Sequence, residues 1–413
     1  MPQRRKCLFL ASDFPPPLVG GALVYYHYLL SSCREANLVV VTRRKDKSAE
    51  FDAQMPCAVH RTRSLPAHGA SRLKGLLCYL WLLPMLLIWI SRYRVPVLHL
   101  ASLKTIIPGW LAARVAGCSL VVSVFGEDLT ALGQHSGLLR RIQYKATVAA
   151  LRKSERILTI ATFGKEALLK IGIPEQRIEI ITPGIDVAKT PEEIRIDPAI
   201  SSRLAGKRIL LTVGRLVARK GQDMVIKALP QLVERYPALH YVIAAGGLNA
   251  EAGKASFEQL ALNLGVQEHV SIFANLDNAS VAWLYDACEI FIMANRTMPN
   301  GDTEGYGIVF LEAGAWGKPV IGGRAGGVVD AVDDGSTGIL VDGTRADEIA
   351  QAIKKLLSDG AMAKRMGEAG REKVLRNGWD SKAEQYGRMI DQLAEGRGER
   401  SARVLSMRRE SSR

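Results

Sequence analysis

Residues 300–320 read NGDTEGYGIVFLEAGAWGKPV and place two glutamates, Glu304 and Glu312, on either side of an expected helix start. The preceding run EIFIMA, residues 289–294, is short and apolar and predicts a buried strand. The residues through Tyr306 then form a loop, and a helix is expected to begin near Gly307. A strand followed by a loop and a helix is the repeating unit of a parallel α/β sheet.

Similar units recur along the whole chain. The strand-like runs of the first half are CLFLAS, LVVVT, VPVLHL, LVVSVFG and RILTIA. Those of the second half are RILLTVG, HYVIAAGG, HVSIFA, EIFIMA, PVIGG and GILVDG. A polar, proline-containing stretch at residues 186–207 separates the two series and is interpreted as a linker. We therefore predict an α/β protein of two Rossmann-like domains with a cleft between them.

Length and composition agree with two folded domains. The chain has 413 residues, of which 48% are hydrophobic and 23% charged, as is usual for globular proteins. The six cysteines are scattered without metal-ligand spacing, which argues against zinc and disulfides and favours a reducing cytoplasm. The N-terminal residues MPQRRKCLFLASDFPPP predict a first strand and not a signal peptide.

The formal net charge of +14 is concentrated in residues 1–187, where Lys and Arg outnumber Asp and Glu more than twofold. This basic half indicates an anionic partner, such as a phospholipid surface, a pyrophosphate-linked lipid or an acidic sugar polymer. Nucleic acid is not expected, because no basic patch interleaved with aromatic residues occurs. Residues 394–413 are polar and basic and predict a disordered tail.

Residues 75–90, GLLCYLWLLPMLLIWI, form an uncharged run with basic residues on both flanks. The run is shorter than the roughly 20 residues of a membrane-spanning helix, and Pro84 interrupts it. Three interpretations stay open: a buried helix of the first domain, an interfacial helix lying on anionic lipid, and a transmembrane span.

Two cations follow the first strand of the second half. In LLTVGRLVARKGQDMVIKAL, residues 210–229, a strand ends at Gly214, a loop carries Arg215 and Lys220, and a helix opens after Gly221. Ligands of open α/β sheets sit beyond the carboxyl ends of strands, so both cations are expected to project into the cleft. A guanidinium and an ammonium together suit a diphosphate, although two solvated loop cations are the alternative.

The glutamates suit hydroxyl groups and not phosphate. Small residues at 305 and 307 let backbone amides approach an anion, and the helix start adds a favourable dipole. Glu304 would repel that anion and is better suited to the hydroxyls of a sugar beside it, and Glu312 could hold a ribose. Hydroxyls, diphosphate and ribose in this order describe a nucleotide-sugar.

GRLVARKG together with EGYGIVFLEAGAWGKPVIGGRAGGVVDAV resembles glycosyltransferase family four, retaining enzymes of the GT-B architecture. The paired glutamates match its E-x7-E signature, PPPLVGG and IITPGID add to the match, and coverage reaches about residue 392. The resemblance implies two Rossmann-like domains facing across a deep cleft. The domains are expected at residues 1–187 and 188–376, with a helix at residues 377–393 crossing back to the first domain.

The resemblance also implies roles for individual residues. Arg215 and Lys220 would bind the donor diphosphate, Glu304 the donor sugar and Glu312 the ribose, and the first three form the expected catalytic group. Backbone groups would make the remaining contacts with the donor. One set would contact the base, a second the phosphate and the sugar, and a third the diphosphate. These backbone positions are Asn275, Leu276, Gly305, Tyr306, Gly307, Ile308, Val309, Gly20 and Gly21.

The sequence departs from the family pattern at several positions. Phe125 stands where many members have a histidine that contacts the donor sugar, Asn275 where glycine is usual, and Asp330 where glutamate is common. Candidates for the acceptor side are Glu127, Asp128 and His99. The alternatives are that Phe125 packs, that Asp128 caps a helix, and that His99 is a hydrogen-bonded strand-end residue.

No second pair of carboxylates suggests a glycosyl-enzyme nucleophile, and the resemblance implies front-face substitution instead. Asp302-Thr303-Glu304 looks like the D-x-D metal motif of the other transferase architecture. Because two cations already serve the diphosphate, no metal or other cofactor is expected.

The expected function is therefore transfer of a hexose from a UDP- or GDP-sugar to a lipid-linked or polysaccharide acceptor in cell-envelope glycan biosynthesis. The expected location is the cytoplasm, at the inner face of its membrane. A nucleotide-sugar 2-epimerase and a catalytically weakened binding protein are the alternatives.

Overall fold

The computed structural model describes residues 6–16, 20–33, 37–46, 48–63, 65, 72–125, 137–185, 194–247 and 250–410. The chain forms two compact units, Met1–Thr182 with Trp379–Arg413, and Pro183–Gly378. The first unit ends a few residues before the boundary expected at residue 187. The second ends close to the expected residue 376.

The first unit contains a seven-stranded parallel sheet in the order β3-β2-β1-β4-β5-β6-β7. Its strands are β1 Cys7–Ala11, β2 Leu38–Arg43, β3 Ala58–Thr62, β4 Val97–Leu100, β5 Ser119–Ser123, β6 Arg156–Thr159 and β7 Ile178–Ile180. Strands β1, β4 and β5 are buried along their whole length, which explains their nearly continuous apolar sequences.

The helices of this unit lie in two layers. They are α1 Gly21–Ser32, α2 Ala49–Ala53, α3 Arg72–Tyr93, α4 Ile106–Ala116, α5 Leu138–Leu151, α6 Thr162–Lys170 and a final helix Trp379–Glu410. The chain steps from β1 to β3 towards one edge of the sheet and from β4 to β7 towards the other. Right-handed crossovers therefore place α1 and α2 on one face, and α3 to α6 together on the opposite face.

The final helix packs on α1, β4 and β5, so the predicted return to the first domain is confirmed. Its backbone stays helical through Glu410, whereas the sequence predicts a disordered tail from residue 394. The physical reason is composition: residues 394–410 are rich in arginine and glutamate, which favour helix, and contain no proline.

Helix α3 is apolar on two sides. Leu82, Leu86 and Ile90 are buried in the core, as the interpretation of a buried helix requires. The opposite side leaves Leu80 and Trp81 more than half exposed, a feature of the interfacial interpretation. Within the described part of the chain, no helix combines the length and the hydrophobicity needed to cross a membrane.

The second unit contains a six-stranded parallel sheet in the order β10-β9-β8-β11-β12-β13. Its strands are β8 Arg208–Gly214, β9 Leu239–Ala245, β10 Val270–Ala274, β11 Ile290–Met293, β12 Val320–Gly323 and β13 Gly338–Val341. All six coincide with predicted runs. Its helices are α7 Pro198–Leu204, α8 Gln222–Ala228, α9 Pro230–Val233, α10 Ala250–Asn263, α11 Asn278–Ala287, α12 Ile308–Ala315, α13 Val328–Ala331, α14 Ala346–Ser358 and α15 Gly360–Arg376.

The stretch expected as a linker contains helix α7. Pro198 occupies its first turn, and the Asp197 side chain accepts a 2.8 Å hydrogen bond from the Ala199 amide. Both features are typical helix starts. The missing apolar period concealed this short helix, of which only Leu204 is buried.

Strands β8 and β11 are the switch point of this sheet. The chain continues from β8 to β9 and β10 on one side, and from β11 to β12 and β13 on the other. The loops after β8 and β11 therefore diverge and leave a crevice at the carboxyl ends of the strands. The cationic loop that begins at Arg215 and the loop that carries Glu304 both start there.

Candidate functional site

The cationic loop packs tightly against the end of β11. A short 3-10 turn, Ala218–Lys220, leads to Gly221, whose φ of 72° is in the left-handed region. A Cβ atom at position 221 would lie 1.8 Å from the carbonyl oxygen of Ala294, so only glycine fits. This contact holds the loop close to the next strand, and the turn directs both Arg219 and Lys220 inward.

Glu304 forms ion pairs with both of these cations. Its Oε2 atom lies 2.5 Å from Nη1 of Arg219 and 3.1 Å from Nζ of Lys220. Arg219 and Lys220 are 8% and 7% exposed, which shows that the ion pairs are shielded from water. Burial alone would raise the pKa of the Glu304 carboxyl, but the charges of Lys220 and Arg219 outweigh it and hold the pKa below its ordinary value. Glu304 is therefore an ionised hydrogen-bond acceptor.

The backbone around Glu304 is fixed by the loop after β12. The Glu304 carbonyl accepts a 2.9 Å hydrogen bond from the Gly327 amide. Asn295, fully buried at the end of β11, donates from Nδ2 to the Ala325 carbonyl at 3.0 Å and accepts at Oδ1 from the Gly323 amide at 2.9 Å. These bonds fix the backbone from which the Glu304 side chain extends towards its cations.

Helix α12 begins at Ile308, four residues after Glu304. Its first residue follows Gly307, which has φ 87° and whose Cβ would come within 2.7 Å of the Phe310 ring. No described side chain caps this helix start. The amides of the first turn and the positive end of the helix dipole therefore suit an anionic ligand. Tyr306 is buried, while Gly305, Ile308 and Val309 keep partial exposure.

Glu312 lies one turn further on and is held by a tyrosine. Tyr285, on α11, donates a 2.6 Å hydrogen bond from its hydroxyl to Oε2 of Glu312. Glu312 keeps some exposed surface, but its carboxyl lies deep among neighbours and this burial raises its pKa. The Tyr285 hydrogen bond and the charge of Lys220 oppose that rise. Lys220 thus acts on both glutamates of the signature.

Arg215 occupies a different environment. Its side chain is exposed, and its carbonyl accepts a 2.9 Å hydrogen bond from the side chain of Gln222. The exposed Arg215 does not contact Glu304, and its expected role towards a diphosphate stays a prediction. Arg219, which sequence reasoning missed, pairs with Glu304 together with Lys220 and also lies 3.4 Å from Asp302. The available signal was its position next to Lys220 in the same short loop.

Asn275 and Leu276 follow β10 at the same edge of the sheet. The φ of Asn275 is 52°, and its amide donates a 2.7 Å hydrogen bond to the Ala245 carbonyl. Asparagine tolerates this left-handed conformation better than most residues, which explains how it can replace the usual glycine. Asn275 is exposed and Leu276 partly buried.

The first unit holds the remaining candidates. Gly20 and Gly21 begin α1 at the carboxyl edge of β1, are exposed, and have open space where a side chain would stand. Phe125 follows β5 and packs against Tyr25 and Tyr26, with ring centroids 5.7 Å and 5.5 Å away. Phe125 as a packing residue fits this contact. Glu127 and Asp128 lie outside the described residues.

His99 is a hydrogen-bonded core residue. It is fully buried on β4, with Nδ1 2.7 Å from the Tyr386 hydroxyl and Nε2 2.8 Å from the Ser123 hydroxyl. Burial lowers its pKa to about 3, so the ring is neutral at neutral pH. Both nitrogens are occupied, which favours the strand-end alternative over a role on the acceptor side.

Comparisons with known proteins place both units in one family. A family model described as "Glycosyl transferases group 1" matches residues 194–373, and "Glycosyltransferase Family 4" matches residues 19–189. The chain is 32% identical to a GDP-mannose-dependent alpha-(1-6)-phosphatidylinositol monomannoside mannosyltransferase of Mycolicibacterium smegmatis, covering 98% of this chain and 99% of the relative. It is 33% identical to the monoacylated-acceptor counterpart of Corynebacterium glutamicum over 48% of this chain and 51% of the relative.

Solved structures share the architecture at lower identity. HepE of Anabaena, in complex with UDP and glucose, has a TM-score of 0.72 at 18% identity and covers 94% of this chain and all of its own. Sucrose-phosphate synthase of Thermosynechococcus elongatus has a TM-score of 0.75 at 21% identity, with coverage of 95% and 100%. These likenesses support the GT-B fold of two parallel-sheet units.

Proposed function

The chain belongs to the group 1 glycosyltransferases of glycosyltransferase family four, and we propose that it moves a mannose from GDP-mannose to a lipid-linked acceptor with retention of configuration. The ion-paired Glu304 beside the uncapped start of α12 carries the proposal, because it joins a hydroxyl acceptor to an anion-binding helix end. The names of the Mycolicibacterium and Corynebacterium relatives support the donor and the lipid acceptor.

In the proposed complex the sugar hydroxyls are bound by Glu304 and the ribose by Glu312. Lys220 and the first amides of α12 bind the diphosphate, and Arg215, exposed on the same loop as Lys220, adds a second cation. Arg219 remains ion-paired with Glu304 and keeps it ionised and fixed, while Lys220 contacts both Glu304 and the phosphate. The arrangement is preorganised for charge that develops on the leaving group.

The proposed reaction is a front-face substitution. The bond from C1 of the sugar to the phosphate oxygen breaks, and the acceptor oxygen forms the new bond to C1 on the same face. The acceptor proton passes to the departing phosphate oxygen, so no protein nucleophile is needed. Lys220 and the helix dipole stabilise the diphosphate as its negative charge grows.

We propose that the reaction needs no metal held by the Asp302-Thr303-Glu304 sequence. Both carboxylates of this sequence face Arg219, at 3.4 Å and 2.5 Å, which leaves them poor partners for a second cation. Among the described residues, no three His, Cys, Asp or Glu side chains come together as a metal-binding group.

The proposed location is the cytoplasmic face of a membrane, where the basic first unit contacts anionic lipid.

A panel of UDP-, GDP- and ADP-sugars in a thermal-shift assay tests the donor. A ligand at 100 times its dissociation constant stabilises the folded state by about 2.7 kcal/mol, so GDP-mannose should raise the melting temperature above the others. A transfer assay with labelled GDP-mannose and a bacterial lipid extract then tests the acceptor. Labelled lipid with an alpha linkage is expected. Fast consumption of the donor without any acceptor would overturn the proposal in favour of an isomerase.

A further inference from the structure

Three consecutive helices of the first unit contain no acidic residue. Helices α3, α4 and α5 read RLKGLLCYLWLLPMLLIWISRY, IIPGWLAARVA and LLRRIQYKATVAAL, with seven Lys and Arg between them and no Asp or Glu. They lie side by side on one face of the sheet, because α3 packs on α4 and α4 on α5. Their outward sides form one surface to which the three helices contribute no acidic residue, and we call it the α3–α5 surface.

Large apolar side chains are exposed on this surface in regular rows. Positions 107, 111 and 115 of α4 are each four residues apart and so lie on one side of the helix. The most exposed members reach 65% to 75%, although the same helices bury other apolar residues in the core. The exposed residues are Leu80, Trp81, Ile88, Ile107, Leu111, Val115, Leu138 and Ile142.

The same helices also carry exposed cations. Exposed basic residues stand at the end of α3, on α4 and along α5, and they are Arg92, Arg94, Arg114, Arg140, Arg141 and Lys145. Arg114 and Lys153 also lie over the ring of Trp110, at 6.0 Å and 5.0 Å from its centroid. Exposed apolar rows and exposed cations on the same helices combine the two attractions of an anionic lipid surface, namely acyl-chain burial and headgroup charge.

We infer that the α3–α5 surface docks on an anionic phospholipid bilayer, with Trp81 and Ile88 entering the interface and α5 contacting headgroups. The inference rests on the membrane contact in the proposed function and identifies the helices that make it. Charge complementarity selects the occupant, since helices that carry basic and no acidic residues gain from a negative lipid layer and not from a neutral one.

Sedimentation of the full chain with lipid vesicles tests the inference. Vesicles of phosphatidylcholine mixed with phosphatidylglycerol should bind the protein, and vesicles of phosphatidylcholine alone should bind it much more weakly. The double variant Trp81→Ser/Ile88→Ser should lower the partition coefficient by about tenfold or more. Arg140→Glu/Arg141→Glu should lower it by a similar factor, and added salt should weaken the binding of the wild type.

The matched control is Leu262→Ser, which removes an exposed leucine from α10 in the second unit and should leave vesicle binding unchanged. Nucleotide-dependent thermal shifts of each variant show that the donor site is intact and separate this inference from the transfer reaction. Equal binding by wild type and both double variants would overturn the inference. The inference would also be overturned if the wild type is a dimer and both double variants are monomers, because a second copy would then cover the surface.

Discussion

The hydroxyl of Tyr285 lies 2.6 Å from Oε2 of Glu312, so a residue of α11 orients the second glutamate of the family signature. The bond occupies one oxygen of the carboxylate and leaves the other to accept from a ligand. It also opposes the rise in the pKa of Glu312 that burial causes. Tyr285 is thus a positioning residue for the proposed ribose contact.

Tyr285→Phe should weaken GDP binding by about tenfold, since a hydrogen bond to a charged group contributes about 1.5–3 kcal/mol. Binding of GDP and of its 2′- and 3′-deoxy analogues, measured by calorimetry, checks this. The deoxy analogue that lacks the contacted hydroxyl should lose less affinity in the variant than in the wild type. Tyr241→Phe, which removes a buried hydroxyl bonded to Thr212, is the control and should affect stability without this coupling. Additive losses would contradict the assignment.

Arg219→Ala should move the acid limb of the pH profile of kcat/KM to higher pH. The lost guanidinium helps to hold the pKa of Glu304 down, so the carboxyl of the variant protonates earlier as the pH falls. The stability that this depressed pKa contributes is present above the unfolded pKa and is lost as pH falls through the folded one.

Arg345→Ala is the matched control for this shift, because it removes an exposed ion pair with Asp347 at 2.7 Å in the same unit. The variant should keep the wild-type profile. An unchanged acid limb in Arg219→Ala would show that Lys220 alone sets the ionisation of Glu304.

Substitutions at Asn275 should follow its left-handed backbone. Asn275→Val should lower the free energy of unfolding by about 1–2 kcal/mol, since a branched side chain is strained at a φ of 52°. Asn275→Gly should be neutral or slightly stabilising. Urea denaturation measures both, and Asn278→Ala on the neighbouring helix serves as the control. The idea fails if valine and glycine have the same effect.

Gly307→Ala should lower both stability and donor affinity. The added methyl group meets the Phe310 ring at 2.7 Å and forces the start of α12 to move. We expect a loss of about 2–3 kcal/mol in unfolding free energy and weaker GDP binding. Gly335→Ala has a similar φ of 78° but open space, so it carries the strain without the clash. Equal effects of the two variants would exclude the clash as the cause.

His99 should make the first unit sensitive to acid. Its pKa is about 3 in the folded protein and 6.5 as the ordinary value, so between these pH values the unfolded chain binds more protons. The free energy of unfolding should therefore fall by about 1.4 kcal/mol for each unit by which the pH is lowered within that window. His99→Gln should reduce this slope in denaturation measured from pH 7 to pH 4. The comparison at pH 8 isolates the lost hydrogen bonds, and an unchanged slope would refute the prediction.

The predicted and observed strands differ only at the edges of the first sheet. Buried central strands are apolar on both faces, and their runs are evident in the sequence. Strands β3 and β7 were not predicted. They are edge strands whose residues are partly exposed, and residues such as Arg61 and Glu179 interrupt any apolar run.

The candidate site was predicted in position more fully than in detail. The structure brings Lys220 close to both Glu304 and Glu312, while the roles of these residues towards a donor stay predictions. The contact of Arg219 with Glu304 depends on the direction in which the short 3-10 turn Ala218–Lys220 points its side chains. The Tyr285 contact joins two separate helices. Neither feature has a local sequence signal, because tertiary packing decides both.

The final helix changes when the first unit can be completed during synthesis. The side chains of Ser119, Lys6 and Cys33 donate hydrogen bonds to Leu393, Asp391 and Ala383 of this helix, respectively. These helix residues leave the ribosome only after the whole second unit has been made. The second unit is one uninterrupted segment and can fold while translation continues. The nascent N-terminal sheet, in contrast, lacks until then the helix that packs on α1, β4 and β5, so part of its apolar surface stays uncovered while the second unit is made.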